Sequence, residues 1–229
     1  MSRHENITRI KAVSIALQEL IGDVVFVGGA TVSLYADRET QEVRPTDDVD
    51  ILVEIITYSE YSQVEEKLRN KGFANDTTSR VICRYRVHGI IVDVMPTSEE
   101  ILGFSNIWYT PGFKNSIPYP IDEDTEIRVL SPAYFLATKL EAFRNRGNGD
   151  GRLSTDFEDI VFIVNNRSTI WQEINEADSE LRSYLVEIFS SLISNKYIEE
   201  WISCHLEAAD SERTEFIISS INNFLNSKA

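Results

Sequence analysis

Two aspartates at alternate positions, heading the apolar run Thr46-Asp47-Asp48-Val49-Asp50-Ile51-Leu52-Val53, constrain this chain more than any other stretch of it. A β-strand alternates its side chains between two faces, so Asp48 and Asp50 share one face while Val49, Ile51 and Val53 line the other. Neighbouring carboxylates repel, and one of them takes up a proton unless a cation lies between them. A divalent metal ion is the obvious cation. Upstream, Val24 to Val27 is an apolar strand that runs into Gly28-Gly29 and then a short amphipathic helix from about Ala30 to Ala36. Backbone N–H groups at such a turn are placed to meet phosphate. Together the two stretches point to phosphate chemistry assisted by metal.

The rest of the chain narrows the setting. Its 229 residues suffice for one substantial core or for two smaller units sharing an interface. No apolar run approaches the ~20 residues that a bilayer-spanning helix needs. The opening MSRHENITRIKAVSIALQEL carries scattered charges and no cleavage site, so it reads as an amphipathic helix rather than a signal peptide. The expected location is cytoplasmic, without membrane contact. Cys83 and Cys204 stand far apart with no second Cys or His pair nearby, which indicates neither a disulfide framework nor a zinc site. The net charge of −15 argues against non-specific attraction to nucleic acid, which depends on excess Lys and Arg. Most of the acidity is C-terminal: residues 150–229 hold 15 acids and 6 bases. That part reads either as a solvated helical surface or as an acidic face for a basic partner protein.

Apolar spacing predicts a helix over residues 6–20, the strand Val24 to Val27, the strand from Asp48, and an amphipathic helix over 58–71 closed by Gly72. A polar loop, Asp37 to Pro45, precedes the Asp48 strand. A hairpin follows, Val81 to Val87 and Ile90 to Val94, turning at His88-Gly89. Residues 97–130 read as a short helix, a loop and two small strands ending at Ile127 to Leu130. From Ser131 the pattern is helical, with Ser131 as N-cap, Pro132 at the first helical position and Tyr134, Leu136, Leu140 and Phe143 as a buried stripe. Gly147 to Gly151 breaks this helix, and others are expected at about 154–165, 179–194, 196–208 and 211–226. The expected fold is α+β. A mixed sheet flanked by helices occupies residues 1–130, and an α-helical domain over 131–229 completes the cleft.

Asp93, in Gly89-Ile90-Ile91-Val92-Asp93-Val94-Met95-Pro96, is an acid inside an otherwise apolar strand. With the hairpin turning at His88-Gly89, Arg84 faces Asp93 and Arg86 faces Ile91 across the ladder. Cys83, Tyr85, Val87, Ile90, Val92 and Val94 then lie on the core side, with Arg84, Arg86 and Asp93 on the other. Asp93 is thus either a third carboxylate beside Asp48 and Asp50 or half of a plain cross-strand ion pair with Arg84.

These residues resemble the nucleotidyltransferase superfamily with the DNA polymerase β-like fold, most closely its minimal AbiEii/AbiGii-type toxin branch. The likeness runs from about residue 23 to 165 and rests on the Gly28-Gly29 turn, Thr46-x-Asp48-x-Asp50, and Asp93 on a later strand. It is extended by Lys139 in SPAYFLATKLEAFRNRG and by Asp156 and Asp159 in STDFEDIVFIV. Ala30 stands where many relatives have serine, with Thr31 next to it. The resemblance implies that Asp48, Asp50 and Asp93 hold two Mg²⁺ ions, with Asp93 nearer the acceptor. It also implies that the Gly28-Gly29 backbone binds the β- and γ-phosphates of a nucleoside triphosphate and that Lys139 neutralises its charge. Thr31, Arg44, Arg84 and Arg86 are further nucleotide-binding candidates, and Asp156 is an accessory site residue or a helix-capping one. Asp159 is expected to be structural.

The implied reaction is Mg²⁺-dependent transfer of a nucleoside monophosphate to an acceptor hydroxyl with release of pyrophosphate, by a toxin of a toxin–antitoxin or phage-defence system. The acceptor is an RNA end or a small molecule, and the protein partner is a basic, antitoxin-like one. Two alternatives remain open: an aminoglycoside-type small-molecule transferase, which an acidic chain would suit, and an inactive nucleotide- or partner-binding protein of the same fold. His4, His88 and His205 form no sequence cluster and read as surface or turn residues, and Trp108, Trp171 and Trp201 read as packing.

Overall fold

Four consecutive apolar residues, Val24–Val27, form strand β1 and are buried throughout, the pattern of a strand covered on both faces. The computed structural model describes residues 2–38, 43–55, 57–103, 105–206 and 210–227. Its chain divides into two units: Met1–Ser33 with Glu42–Ser131, and Leu34–Gln41 with Pro132–Ala229.

In the first unit, helix α1 (Ser2–Leu17) buries Asn6, Ile10, Val13 and Leu17, one helical face, and passes through a 3₁₀ turn, Gln18–Asp23, into β1. The segment after Gly28 is also 3₁₀, over Gly29–Tyr35, where a short α-helix was expected. Next come β2 (Asp48–Val53), α2 (Tyr58–Asn70), β3 (Ala74–Asn75), β4 (Arg84–Val87) and β5 (Ile90–Pro96). They are followed by α3 (Glu99–Leu102), α4 (Tyr109–Lys114), β6 (Ile117–Pro120) and β7 (Glu126–Val129). Among the described residues the strands make one seven-stranded sheet in the order β3-β4-β5-β2-β1-β7-β6. It is mixed: β2 runs parallel to β5 and β1 to β7, and the remaining pairs are antiparallel. Edge strand β6 carries Pro118 and Pro120, which have no N–H to offer another chain.

Local chemistry accounts for the boundaries near the site. Thr57 and Glu60 form a reciprocal capping box that starts α2. Gly72, at φ +87°, follows its C-cap. The β4–β5 hairpin turns on His88 and Gly89, both left-handed at φ +50° and +81°, as a two-residue turn matched to strand twist requires. Its register is the expected one, Arg84 opposite Asp93 and Arg86 opposite Ile91. The first strand of that hairpin starts later than expected, at Arg84. The carbonyl of Val81 instead accepts the Arg84 N–H in a turn, and Val81 and Ile82 are exposed.

The second unit is helical: α5 (Pro132–Arg146), α6 (Thr155–Asn166), α7 (Ile170–Glu176), α8 (Ser179–Ile193), α9 (Ile198–Ser203) and α10 (Ser211–Asn226). Helix α5 is buried at every position from Pro132 to Glu141, not along a single stripe, which makes it the helix the others pack around. The rings of Phe143, Phe157 and Trp201 meet pairwise at 5.1–5.9 Å, and Trp171 stacks on Phe224 at 5.0 Å. Tyr35 packs on Phe135 at 4.4 Å and its carbonyl accepts from Arg167, while the Asp37 carboxylate accepts from the backbone and hydroxyl of Ser168. These contacts hold Tyr35 and Asp37 in the helical unit. The helix expected over 196–208 is shorter at both described ends, and residues 207–208 lie outside the described residues. No helix among the described residues is long and apolar enough to cross a membrane.

Trp201 is 3 % exposed and closes the Phe143–Phe157 ring cluster. Trp201→Ala is expected to cost about 3–5 kcal/mol of stability. Urea unfolding measures this, and an unchanged midpoint would contradict the packing described.

Candidate active site

Strand register places four residues in one line across the sheet: Val27 beside Asp50, Asp50 beside Asp93, and Asp93 beside Arg84. Directly paired residues project to the same face. Asp48, two positions before Asp50, joins them there. The other face of these strands carries Val49, Ile51, Tyr85, Val92 and Val94, all buried. Apolar alternation on β2, β4 and β5 therefore forces the three acids and Arg84 to one side.

The cation between the carboxylates is a guanidinium. Arg84 donates through Nε to Asp93 Oδ1 at 2.8 Å and through Nη2 to Asp93 Oδ2 at 2.7 Å, a bidentate pair, and Nη2 also reaches Asp48 Oδ2 at 3.0 Å. The hydrogen bonds to Asp93 raise the Arg84 pKa above its ordinary value, outweighing its partial burial. Both readings of Asp93 thus describe the same spot, since the cross-strand ion pair forms on the face that carries Asp48 and Asp50. Among the described residues no three His, Cys, Asp or Glu side chains are disposed to hold a metal ion. Behind this face, burial and then the Asp93 charge push the Cys83 thiol up to about 12, so it stays protonated and is no nucleophile at neutral pH.

The Gly28-Gly29 turn abuts the same residues. A Cβ on Gly28, whose φ is +75°, would lie 1.9 Å from Asp50 Oδ2, and one on Gly29 would lie 2.6 Å from Arg44 Nη2. Gly28 is required by close approach and by its positive φ, with Asp50 filling the space there, and at Gly29 the corresponding space is taken by the end of the Arg44 side chain. Thr31 is fully buried, and its hydroxyl and N–H both donate to the Gly28 carbonyl, at 2.9 and 3.2 Å. That hydroxyl ties the turn. Arg86 lies on the Arg84 face but pairs with Asp76 at 2.9 Å and is half exposed.

One residue that the sequence reading passed over belongs to this neighbourhood. Asn6 is fully buried and bonds the backbone of Arg44 and Thr46. The signal was its place on the apolar face of α1, in line with Ile10, Val13 and Leu17, where a polar side chain needs partners.

In the helical unit, Lys139 is buried and pairs with Asp159 at 2.6 Å and Asp156 at 3.5 Å. Asp156 also takes a bidentate pair from Arg146 at 2.6 and 2.8 Å. Capping of α6 falls to Ser154, whose hydroxyl accepts from Phe157 N. His88 sits in the hairpin turn, His205 reaches the Gly151 carbonyl at 2.6 Å, and Trp108 and Trp201 are buried.

The central strand with alternate acids, its parallel partner bearing a third, and the adjoining Gly-Gly turn define a nucleotidyltransferase-like α+β fold. Residues 13–192 match the family model described as nucleotidyl transferase AbiEii toxin, type IV toxin–antitoxin system, and the chain belongs to that family. No curated protein matches the chain significantly.

Gly28→Ala would drive a methyl into Asp50 and strain a left-handed φ. The variant is expected to melt below wild type, by a margin larger than a surface substitution gives, and calorimetry reads it. Burial alone would raise the Asp156 pKa, but hydrogen bonds from Arg146 and the charge of Lys139 hold it below the usual carboxylate range. Its stabilisation is therefore full above the unfolded value of about 3.9 and is lost as pH falls through the lower folded value. Asp156→Asn should lower stability at neutral pH and flatten the acid limb of a stability–pH curve. An identical acid limb would remove Asp156 from that role.

Proposed function

We propose that the chain transfers a nucleoside monophosphate from a nucleoside triphosphate to an acceptor hydroxyl, releasing pyrophosphate. The observation that carries this reading is the Asp50–Asp93–Arg84 line, with Asp48 on the same face and the Gly28-Gly29 turn against Asp50. Family membership supports transferase chemistry, and a type IV toxin–antitoxin family supports an antitoxin as the partner.

Three carboxylates at neighbouring positions on one face are the hard oxygen donors that Mg²⁺ takes, so the residue types fit the ion. Asp48, Asp50 and Asp93 do not surround an ion as they stand, and they would hold one once Arg84 gave up part of its present pairing. Bound there, Mg²⁺ would lower the pKa of the acceptor hydroxyl and offset charge on the departing pyrophosphate. The chain's own groups do the rest. The backbone of the Gly28-Gly29 turn, flanked by Asp50 and Arg44, would receive the triphosphate. Arg44, beside Gly29, supplies a fixed positive charge for the phosphates. Asp93, held by Arg84 in a bidentate pair, is the carboxylate that the resemblance puts nearer the acceptor, where it would receive the acceptor proton. Lys139 is the remaining nucleotide-binding candidate.

The net charge of −15 favours a second acceptor class, a polycationic small molecule of the aminoglycoside kind, over long RNA. Incubation with Mg²⁺ and each labelled nucleoside triphosphate, with total RNA, protein extract and aminoglycosides as acceptors, separates the two by where label lands. Absence of transfer and of pyrophosphate release in every combination would overturn the enzyme reading. Asp93→Asn changes side-chain volume little and removes one ligand charge. It is expected to abolish transfer while keeping a cooperative thermal transition; wild-type turnover in this variant would remove Asp93 from the chemistry.

A further inference from the structure

Segment 43–46 packs on Gly29 and leads into β2, which starts only at Asp48. Helix α1 supplies partners for its backbone. Asn6 Nδ2 donates to the Arg44 carbonyl at 3.2 Å, and Asn6 Oδ1 accepts from Thr46 N at 3.2 Å and from the Thr46 hydroxyl at 3.3 Å. The Ser2 hydroxyl donates to the Val43 carbonyl one helical turn away. A carboxamide carries a donor and an acceptor at one tip, and here it spans the two backbone groups that flank Pro45, a residue with no N–H of its own. Asn6 is 0 % exposed, so its bonds form without competition from water.

The consequence is felt at the glycine turn. Where a Cβ on Gly29 would stand, Arg44 Nη2 lies 2.6 Å away and Thr46 Cγ2 3.1 Å away. The two residues whose backbone Asn6 grips are therefore the two whose side chains cover that glycine. We infer that Asn6 is a positioning residue, holding the 44–46 segment so that the Arg44 guanidinium stands at the Gly28-Gly29 turn for the triphosphate. The inference rests on the nucleotidyltransferase reading. Buried as it is, Asn6 acts through Arg44 and touches no substrate.

The test uses the full chain and inorganic triphosphate, the moiety common to every nucleoside triphosphate, titrated in the presence of Mg²⁺. Asn6→Ala is expected to weaken binding about tenfold, the scale on which a displaced charged donor loses its hydrogen bond. Arg44→Met should weaken it at least as much, and adding Asn6→Ala to Arg44→Met should change affinity by less than about twofold, because the two act as one unit. Should Asn6→Ala fail to fold, Asn6→Leu takes its place, since it keeps side-chain volume on the apolar face of α1 and removes the donor and the acceptor without burying a charge. In the transfer assay the same variant should raise the nucleotide KM and leave kcat nearly unchanged. Wild-type affinity in the Asn6 variant, or effects that add fully in the double variant, would overturn the proposal while leaving the enzyme reading in place. A wild-type protein that binds neither triphosphate nor any nucleotide would overturn both.

Discussion

Asp50 and Asp93 stand side by side on parallel strands, a placement in which two carboxylates repel unless their charge is compensated. The sheet is arranged around that constraint. β2 is the middle strand of seven, and its pairing with β5 brings the acids together, while the hairpin returns Arg84 to the next position along the same line. Behind them, Tyr85, Val92 and Val94 are buried, which leaves these strands no freedom to turn the acids inward. Gly28 then admits the Asp50 carboxylate against the turn. Removing the β-carbon at one place and supplying a guanidinium at another are two parts of one solution: a concentration of negative charge that the fold can hold.

The helical unit solves a similar problem in a drier setting. Asp156 and Asp159 lie one turn apart on α6, both buried, with the Lys139 ammonium beside them and Arg146 closing on Asp156 from the end of α5. Buried charges of this kind do not earn their place by stability alone, since apolar residues of similar size often serve as well. The pairs of Lys139 and Arg146 with Asp156 and Asp159 tie α5 to α6 through directional bonds.

Much of the site was legible because strands and hairpins translate short sequence patterns directly into geometry. The alternation of Asp48 and Asp50 with Val49 and Ile51 assigned their face, and the His88-Gly89 turn set Arg84 opposite Asp93. The pairing of β2 with β5 lay out of reach, because it joins residues about forty apart with three elements between them and no local turn to set it. The two-residue β3 and the seven-residue α7 fall below the length at which periodicity shows. At Val81 the apolar pattern was followed past its limit, since those side chains lie in a turn and face solvent. Asn6 escaped for a different reason: a polar residue near a helix start is ordinarily solvated, and its burial depends on a segment some forty residues downstream.

The path of the chain between the units has its own bearing on synthesis. It leaves the sheet unit after Ser33, lends Leu34–Gln41 to the helical unit, returns at Glu42 and departs again after Ser131. As the ribosome delivers the chain from its N-terminus, Tyr35 emerges a hundred residues before Phe135, and Asp37 well over a hundred before Ser168, the partners that receive them. The helical unit is therefore completed by residues made early, and the chain from residue 132 onward lacks the Tyr35 ring that packs on Phe135.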